Sequence, residues 1–319
     1  MNAKDRFYSR KWGVFNHYIC GLQNNPESEH SYYKQLPWDE HVKVFDTEVL
    51  AKTLHEMGAG YYCITIMQCS KYMIAPNATF DRIAGTVSGE ACSTRDLIED
   101  LYTSLSKYDI DLFLYFTGDG PWRDHPEGDR FGFVAPREDG VTMEFVKRWA
   151  SVLEEYAVRY GDKVKGWWID GVFDSFKYTN ELMEPLYAAC KKGNPEALVA
   201  FNNGGWWNDY LEKWFEHEDF LAGERNDFDI VPDKRFYDGA QAHVLAPIGL
   251  SQLDIDSPKR YTQSWGAFGL KHTKEYLADY LQKANAAGAV VTFDMGVHRD
   301  GRFDPVQIEA ITYAGKSLS

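Results

Sequence analysis

No apolar run in this chain of 319 residues approaches the eighteen or so residues a membrane helix needs, and the opening "MNAKDRFYSRKWG" lacks the apolar stretch of a secretory leader. A cytoplasmic location is expected, or a periplasmic or secreted one if a leader has been removed. Cysteine is sparse and unpatterned. The five, Cys20, Cys63, Cys69, Cys92 and Cys190, are odd in number and show no CxxC spacing, which argues against a disulfide framework or a structural zinc site. Basic residues are outnumbered, 34 against 48 acidic ones, for a formal charge of −14. Neutralising phosphates needs a basic face, so neither nucleic acid nor an anionic membrane is expected as a partner. No GxGxxG or GxxxxGK[ST] stands at a strand-to-helix junction, which removes the main support for dinucleotide and P-loop chemistry. No HExxH, HxH or GxSxG occurs either, so zinc-protease and serine-elbow readings have no motif to stand on.

What the chain does have is alternation. Strand-like runs at 11–18, 61–67, 110–117, 165–173, 197–205, 219–224, 241–249 and 289–296 are separated by helical patterns at 46–60, 93–109, 142–161, 180–193, 271–288 and 304–318. In the second of these helices Leu97, Leu101 and Leu105 repeat at i, i+4, i+8 behind a Ser/Thr cap. Eight nearly continuous apolar strands, with helices between them, predict a parallel sheet covered on both sides. At this length the prediction is a closed (β/α)8 TIM-like barrel, α/β in class, forming a single domain over 1–319. No linker or second domain is apparent.

Barrel chemistry sits where the strands end. Those positions are His17, Gln68 with Cys69, Thr117 with Asp119, Asp170, Asn202 with Asn203, Glu224 and Asp294. The run "KGWWIDGVF" (165–173) poses the question most sharply, because a strand of buried aromatics ends on a carboxylate. A buried charge costs several kcal/mol unless paired or solvated, so Asp170 is expected at the mouth of a cavity. The plainer reading is an Asp-Gly turn. Two carboxylates in different environments, Asp170 and Glu224, can divide nucleophile and acid/base work at a glycosidic bond. Either could instead cap a helix or pair with a base such as Arg225. A metal site built from His17, Asp170 and Asp294 is the rival, but the remaining histidines are dispersed along the chain. Cys69 has no evident base in the sequence and reads as a small pocket-lining residue. Aromatic content is 15%, including ten Trp, whose flat faces suit sugar C–H faces as well as cores.

Several segments resemble glycoside hydrolase family 29, the α-L-fucosidases. "KWGVFNHY" is similar to that family's "KWGIFIHWG", "TRDLIEDLYTSLSKYDIDLFLYFT" to its "RDLVGELVDAVRKAGLKFGLYYS", and "GWWIDG" to its "LWFDG", whose Asp is the nucleophile. "SWGAF" and "FDMGVHRDGRFDPVQIEAI" track its "SWGY" and "LNIGPRPDGTIPPEQ". The resemblance implies Asp170 as nucleophile, His17 as a sugar-contacting histidine and Glu224 of "DFLAGE" as acid/base, with Glu218 in reserve. It also marks departures: "MQCSKY" puts Gln68 and Cys69 where the family's paired histidines grip hydroxyls, and Gly204 replaces an arginine. The chain ends with the last barrel helix, so the family's C-terminal β-sandwich is not expected in it.

The resulting expectation is a divergent relative: a retaining exo-glycoside hydrolase using two carboxylates and no cofactor or metal, on an oligosaccharide or glycoside whose sugar need not be fucose. Tyr115, Trp122, Trp168, Asn203, Trp265 and Asp294 join His17, Gln68 and Cys69 as expected substrate contacts. Loops 19–45, 68–93 and 118–140 are expected to build the leaving-group side. The alternative is a carbohydrate-binding pseudoenzyme on the same barrel. Homo-oligomerisation is left open.

Overall fold

A computed structural model describes residues 1–24, 34–132, 139–204, 211–250 and 264–318. The strands are β1 (Trp12–Asn16), β2 (Tyr61–Thr65), β3 (Asp111–Thr117), β4 (Val164–Asp170), β5 (Leu198–Phe201), β6 (Phe236–Tyr237), β7 (Ala240–Gln241), β8 (His243–Pro247) and β9 (Val290–Asp294). The helices are α1 (Ala3–Ser9), α2 (Cys20–Gln23), α3 (Trp38–Lys43), α4 (Thr47–Met57), α5 (Ala78–Ala84), α6 (Leu97–Ser106), α7 (Met143–Tyr160), α8 (Asn180–Lys191), α9 (Lys274–Ala286) and α10 (Pro305–Lys316). Every pairing in the main sheet is parallel, and its seven strands run in the order β5-β4-β3-β2-β1-β9-β8, while β6 and β7 form a small antiparallel ribbon.

The strand expected at 219–224 does not form, so among the described residues the closed eight-stranded barrel predicted from sequence appears as a curled sheet of seven parallel strands. Segment 219–225 instead follows β7 and β8 through isolated bridges, Phe220 to Gln241 and Glu224 to Leu245. On its other side Asp219 N–H donates to the Val199 carbonyl of β5 at 2.8 Å, and the Asp219 carboxylate accepts Val199 N–H at 3.1 Å. Gly223 explains the interruption. Its φ is +61°, a left-handed conformation that breaks the pleat, and a Cβ there would sit 1.9 Å from the His243 carbonyl oxygen. Gly223→Ala is therefore expected to lower stability by about 2 kcal/mol or more in chemical denaturation, from strain and backbone clash together.

Successive strand residues divide between two buried clusters, as the period of two requires. Val14, Tyr62, Ile64, Leu114, Trp167, Val199 and Phe293 pack with helix residues such as Leu54, Leu101 and Leu153. Phe15, Tyr61, Cys63, Phe113, Tyr115, Trp168, Ala200 and Leu245 fill the concave side of the curled sheet. Helix α1, not anticipated from sequence, closes the bottom of that interior. Its Phe7 ring lies 5.1 Å from Tyr61 and from Phe113 and 5.0 Å from Phe220. Arg6 and Arg10 anchor it by pairing with the buried Asp111.

Helix starts follow local chemistry: Asp46, Asn77, Asp96, Thr142, Thr179, Thr273 and Asp304 each accept backbone N–H groups at an N-cap. The cap of α6 is Asp96 rather than the expected Ser/Thr. The Ser93 and Thr94 hydroxyls are spent on Asp39 instead, at 3.2 and 2.8 Å. All five cysteines are free thiols. No described helix is long and apolar enough to cross a membrane.

Candidate active site

Strand phase decides which side chains reach the upper mouth of the interior. On β4 the inward positions run Gly166, Trp168, Asp170, so the carboxylate ends the inward row where the strand stops. Gly171, at φ +69°, then turns the chain away, and its missing Cβ admits the Asp119 carboxyl group, whose Cγ would otherwise be met at 2.9 Å. Asp170 is the last residue of β4, as expected from the sequence. The same phase carries Phe15 to His17, Phe113 to Tyr115, Ala200 to Asn202, and Thr292 to Asp294, while Glu224 is placed by its isolated bridge to Leu245 of β8.

Asp170 is held at both oxygens. The Tyr115 hydroxyl donates to Oδ2 at 2.5 Å, and the Asn202 Nδ2 amide donates to Oδ1 at 2.7 Å. The same Asn202 nitrogen also donates to Oε2 of Glu224. One nitrogen serving both carboxylates confines their nearest oxygens to within two hydrogen-bond lengths, roughly 6 Å at most. Burial and the Asp170 charge push the Glu224 carboxyl up to about 8, with the Asn202 amide opposing. Burial and the same charge hold the Tyr115 phenol well above its ordinary value, so it stays a donor.

Asn202 is the residue that sequence reasoning passed over in favour of Asn203. Alternation from Leu198 through Ala200 was the signal that selects 202. Asn202→Ala is expected to reduce activity about 10²-fold in steady-state assays, because two half-buried carboxylates lose one shared donor.

Glu218, the reserve acid/base, is buried and committed to backbone. Its Oε2 accepts Phe201 N–H at 3.1 Å and its Oε1 accepts Trp214 N–H at 2.8 Å. Burial raises it to about 8 as well, so an elevated carboxyl alone does not distinguish the two glutamates. The shared amide does. Arg225 forks onto Asp229 at 3.0 and 2.8 Å.

On the other flank, buried Asp294 receives His17 Nδ1–H at 3.0 Å and Gly266 N–H at 2.5 Å. That pairing sets the tautomer of His17 and leaves Nε2 for another partner. The Trp265 ring crosses His17 edge to face at 5.7 Å, and its indole N–H donates to Asn226 Oδ1 at 3.2 Å. Cys69, in a left-handed conformation at φ 56°, directs its thiol to Asp119 at 3.6 Å, and the Trp122 indole donates to the same carboxylate at 3.0 Å. Burial and the neighbouring Asp119 charge hold that thiol well above its ordinary value, so it stays protonated. Trp168 lies inside the concave side of the curled sheet rather than at its upper mouth, only 5% exposed and stacked on Tyr115 at 5.4 Å. Gln68 and Asn203 are half-buried. Residues 25–33 and 133–138 of the expected leaving-group loops lie outside the described residues. Among the described residues no group of three or more His, Cys, Asp or Glu is placed to hold a metal ion.

No protein-family profile and no curated protein matches the sequence. Solved structures do match. An endo-fucoidan hydrolase of glycoside hydrolase family 107 superposes with a TM-score of 0.71 at 13% identity, over 99% of this chain and 54% of its own. The α-L-fucosidase AlfC in complex with Fuca(1,6)GlcNAc gives 0.65 at 17%, over 98% of this chain and 97% of its own. A family 29 α-L-fucosidase from Bacteroides thetaiotaomicron, trapped as a covalent intermediate with 2-fluoro-fucosyl fluoride, gives 0.64 at 19%, over 98% and 74%. The fold is that of the fucosidase-like glycoside hydrolases. The chain spans about half the length of the fucoidan hydrolase, and at these identities the likeness is one of fold.

Proposed function

We propose that this chain is a retaining exo-glycoside hydrolase with Asp170 as nucleophile and Glu224 as acid/base. The observation that carries the reading is the Asn202 amide shared between the two carboxylates. Retaining enzymes hold their carboxyl groups about 5–5.5 Å apart and inverting ones about 6.5–9.5 Å, and a single bridging nitrogen that brings the nearest oxygens within about 6 Å supports the shorter range. In the first step an Asp170 oxygen bonds to the anomeric carbon while the glycosidic C–O bond breaks, and the leaving oxygen takes the proton of Glu224. In the second, Glu224 takes a proton from water, whose oxygen displaces Asp170 and restores both groups. The division of labour fits the surroundings: Glu224 holds a proton near neutral pH, and Asp170 accepts two donors, one at each oxygen. His17 and Trp265 form one wall for the sugar and Cys69 and Trp122 the other; Asp294, expected from sequence as a sugar contact, is fully buried behind His17, and Asp119 is buried behind Cys69 and Trp122. Exo action comes from the family 29 resemblance, and the trapped covalent intermediate of the Bacteroides fucosidase is the precedent for the chemistry in this fold.

Gln68 and Cys69 stand where that family's histidines grip hydroxyls, and a site without those donors leaves hydroxyls unpaired on burial. The sugar is therefore proposed to differ from fucose. A panel of p-nitrophenyl glycosides, run on wild type and Asp170→Ala, tests the reading. At least one sugar is expected to be turned over by wild type alone, with the simple α-L-fucoside below about 10⁴ M⁻¹s⁻¹ in kcat/KM. No turnover across the panel, with sugar binding retained, would favour the binding-only alternative. Activity is expected to survive EDTA. Loss on chelation with recovery on zinc or manganese would overturn a mechanism carried by carboxylates alone.

A further inference from the structure

Glu224 sits on a wall segment that lacks a regular ladder, and four buried side chains supply what the ladder does not. Backbone bonds tie the segment to β7 and β8 at its ends: Leu221 N–H to Gln241 O at 3.0 Å, Leu245 N–H to Gly223 O at 2.9 Å, and Arg225 N–H to Leu245 O at 2.9 Å. Between them the carbonyls of Leu221 and Ala222 face the interior. The His243 Nδ1–H is shared by both, at 2.9 and 3.1 Å, and the Trp168 indole adds a second donor to Ala222 O at 3.0 Å. Carbonyls only accept, so Nδ1 carries the proton of the neutral imidazole and Nε2 must accept. Its partner is the Thr292 hydroxyl at 2.6 Å, which therefore donates, and the Tyr61 hydroxyl donates in turn to Thr292 Oγ1 at 2.5 Å. The direction of every bond in the chain Tyr61, Thr292, His243, segment 221–222 is thereby fixed. Burial keeps His243 neutral by lowering it to about 4. Trp168 stacks on Tyr115, which holds Asp170, so the same network braces both carboxylates from below.

We infer that His243 and Thr292, both buried beneath the pocket, are positioning residues that set the height and aim of Glu224 by locking the Leu221 and Ala222 carbonyls. The inference rests on the acid/base reading of Glu224. A residue that merely stabilised the fold would affect all substrates alike, whereas one that aims the acid matters most when the leaving group needs a proton.

The experiment compares Thr292→Val, Thr292→Ser and Tyr61→Phe on a phenyl glycoside and a 2,4-dinitrophenyl glycoside of the sugar turned over best. Thr292→Val leaves Nε2 without its donor. It is expected to lower kcat/KM at least about 10-fold on the phenyl glycoside and less than about 3-fold on the dinitrophenyl one, with Thr292→Ser close to wild type on both. Tyr61→Phe is expected to show the same pattern at smaller amplitude. Equal losses on the two substrates, or a Ser variant as impaired as Val, would overturn the inference. Amide hydrogen exchange of the peptide over 219–226 provides a readout independent of turnover: faster exchange in Thr292→Val, restored in Thr292→Ser, is expected, and unchanged exchange overturns the inference. Glu224→Gln on the same two glycosides separates the two claims. If it shows no leaving-group dependence, the acid/base reading fails, while exchange still decides whether Thr292 and His243 hold the segment.

Discussion

Asp170→Ala is expected to lower kcat/KM on an activated aryl glycoside at least about 10³-fold while the protein stays folded. The side chain lies at a strand end and contributes no apolar packing, so its removal costs chemistry rather than core. It also frees the Tyr115 hydroxyl and the Asn202 amide that hold the two oxygens. The space vacated by the carboxylate fits a small anion between the same two donors. Added azide is expected to restore part of the rate and to give a glycosyl azide of inverted configuration, because it attacks from the face that Asp170 used. An Asp170→Ala enzyme within about 10-fold of wild type would show that the nucleophile lies elsewhere.

Glu224→Gln carries the second large effect. With unactivated leaving groups the expected loss in kcat/KM is about 10²–10⁴-fold, since no proton is delivered, whereas the dinitrophenyl glycoside loses far less in its first step. Wild-type kcat/KM is expected to fall as pH rises through about 8, where Glu224 gives up the proton that acid catalysis requires, and the Gln variant lacks that limb. The stability signature has a definite sign. A carboxyl group raised by burial and by the Asp170 charge binds its proton more tightly folded than unfolded. Its contribution is therefore complete below the unfolded value near 4.5 and is lost as pH climbs through about 8. Glu224→Gln is expected to match wild type in urea denaturation at pH 5 and to exceed it by about 1 kcal/mol or more at pH 9. Glu218, raised to the same value by its own burial, gives wild type a further decline over that window that the Glu224 variant retains.

Strand phase made much of this site legible before any coordinates. Apolar runs ending in His17, Asp170 and Asp294 placed those residues at strand ends, because a parallel sheet buried on both faces leaves few other places for a polar side chain. The same phase, carried one step further, selects Asn202 over Asn203. That step was missed because "FNNGG" offers two identical amides and the strand stops at Phe201 between the apolar run and the choice. "DFLAGE" reads as a strand from its apolar content, but Gly223 adopts a left-handed conformation imposed by the close approach of the His243 carbonyl, a contact distant in sequence. Trp168 illustrates another limit. An indole suits a sugar face and a core equally well in composition, and only the position of the Ala222 carbonyl shows that this one is spent beneath the pocket. The network from Tyr61 to Leu221 spans four segments, and no local pattern announces it.

The central claim is that Asp170 and Glu224 sit close enough for double displacement. The measurement that tests it most directly is the configuration of the first-formed sugar, followed by proton NMR during hydrolysis of the best aryl glycoside before mutarotation equilibrates the anomers. The account requires the anomer of the substrate to appear first. First appearance of the opposite anomer would contradict it, because inversion places a water between carboxylates held farther apart than the shared Asn202 amide suggests.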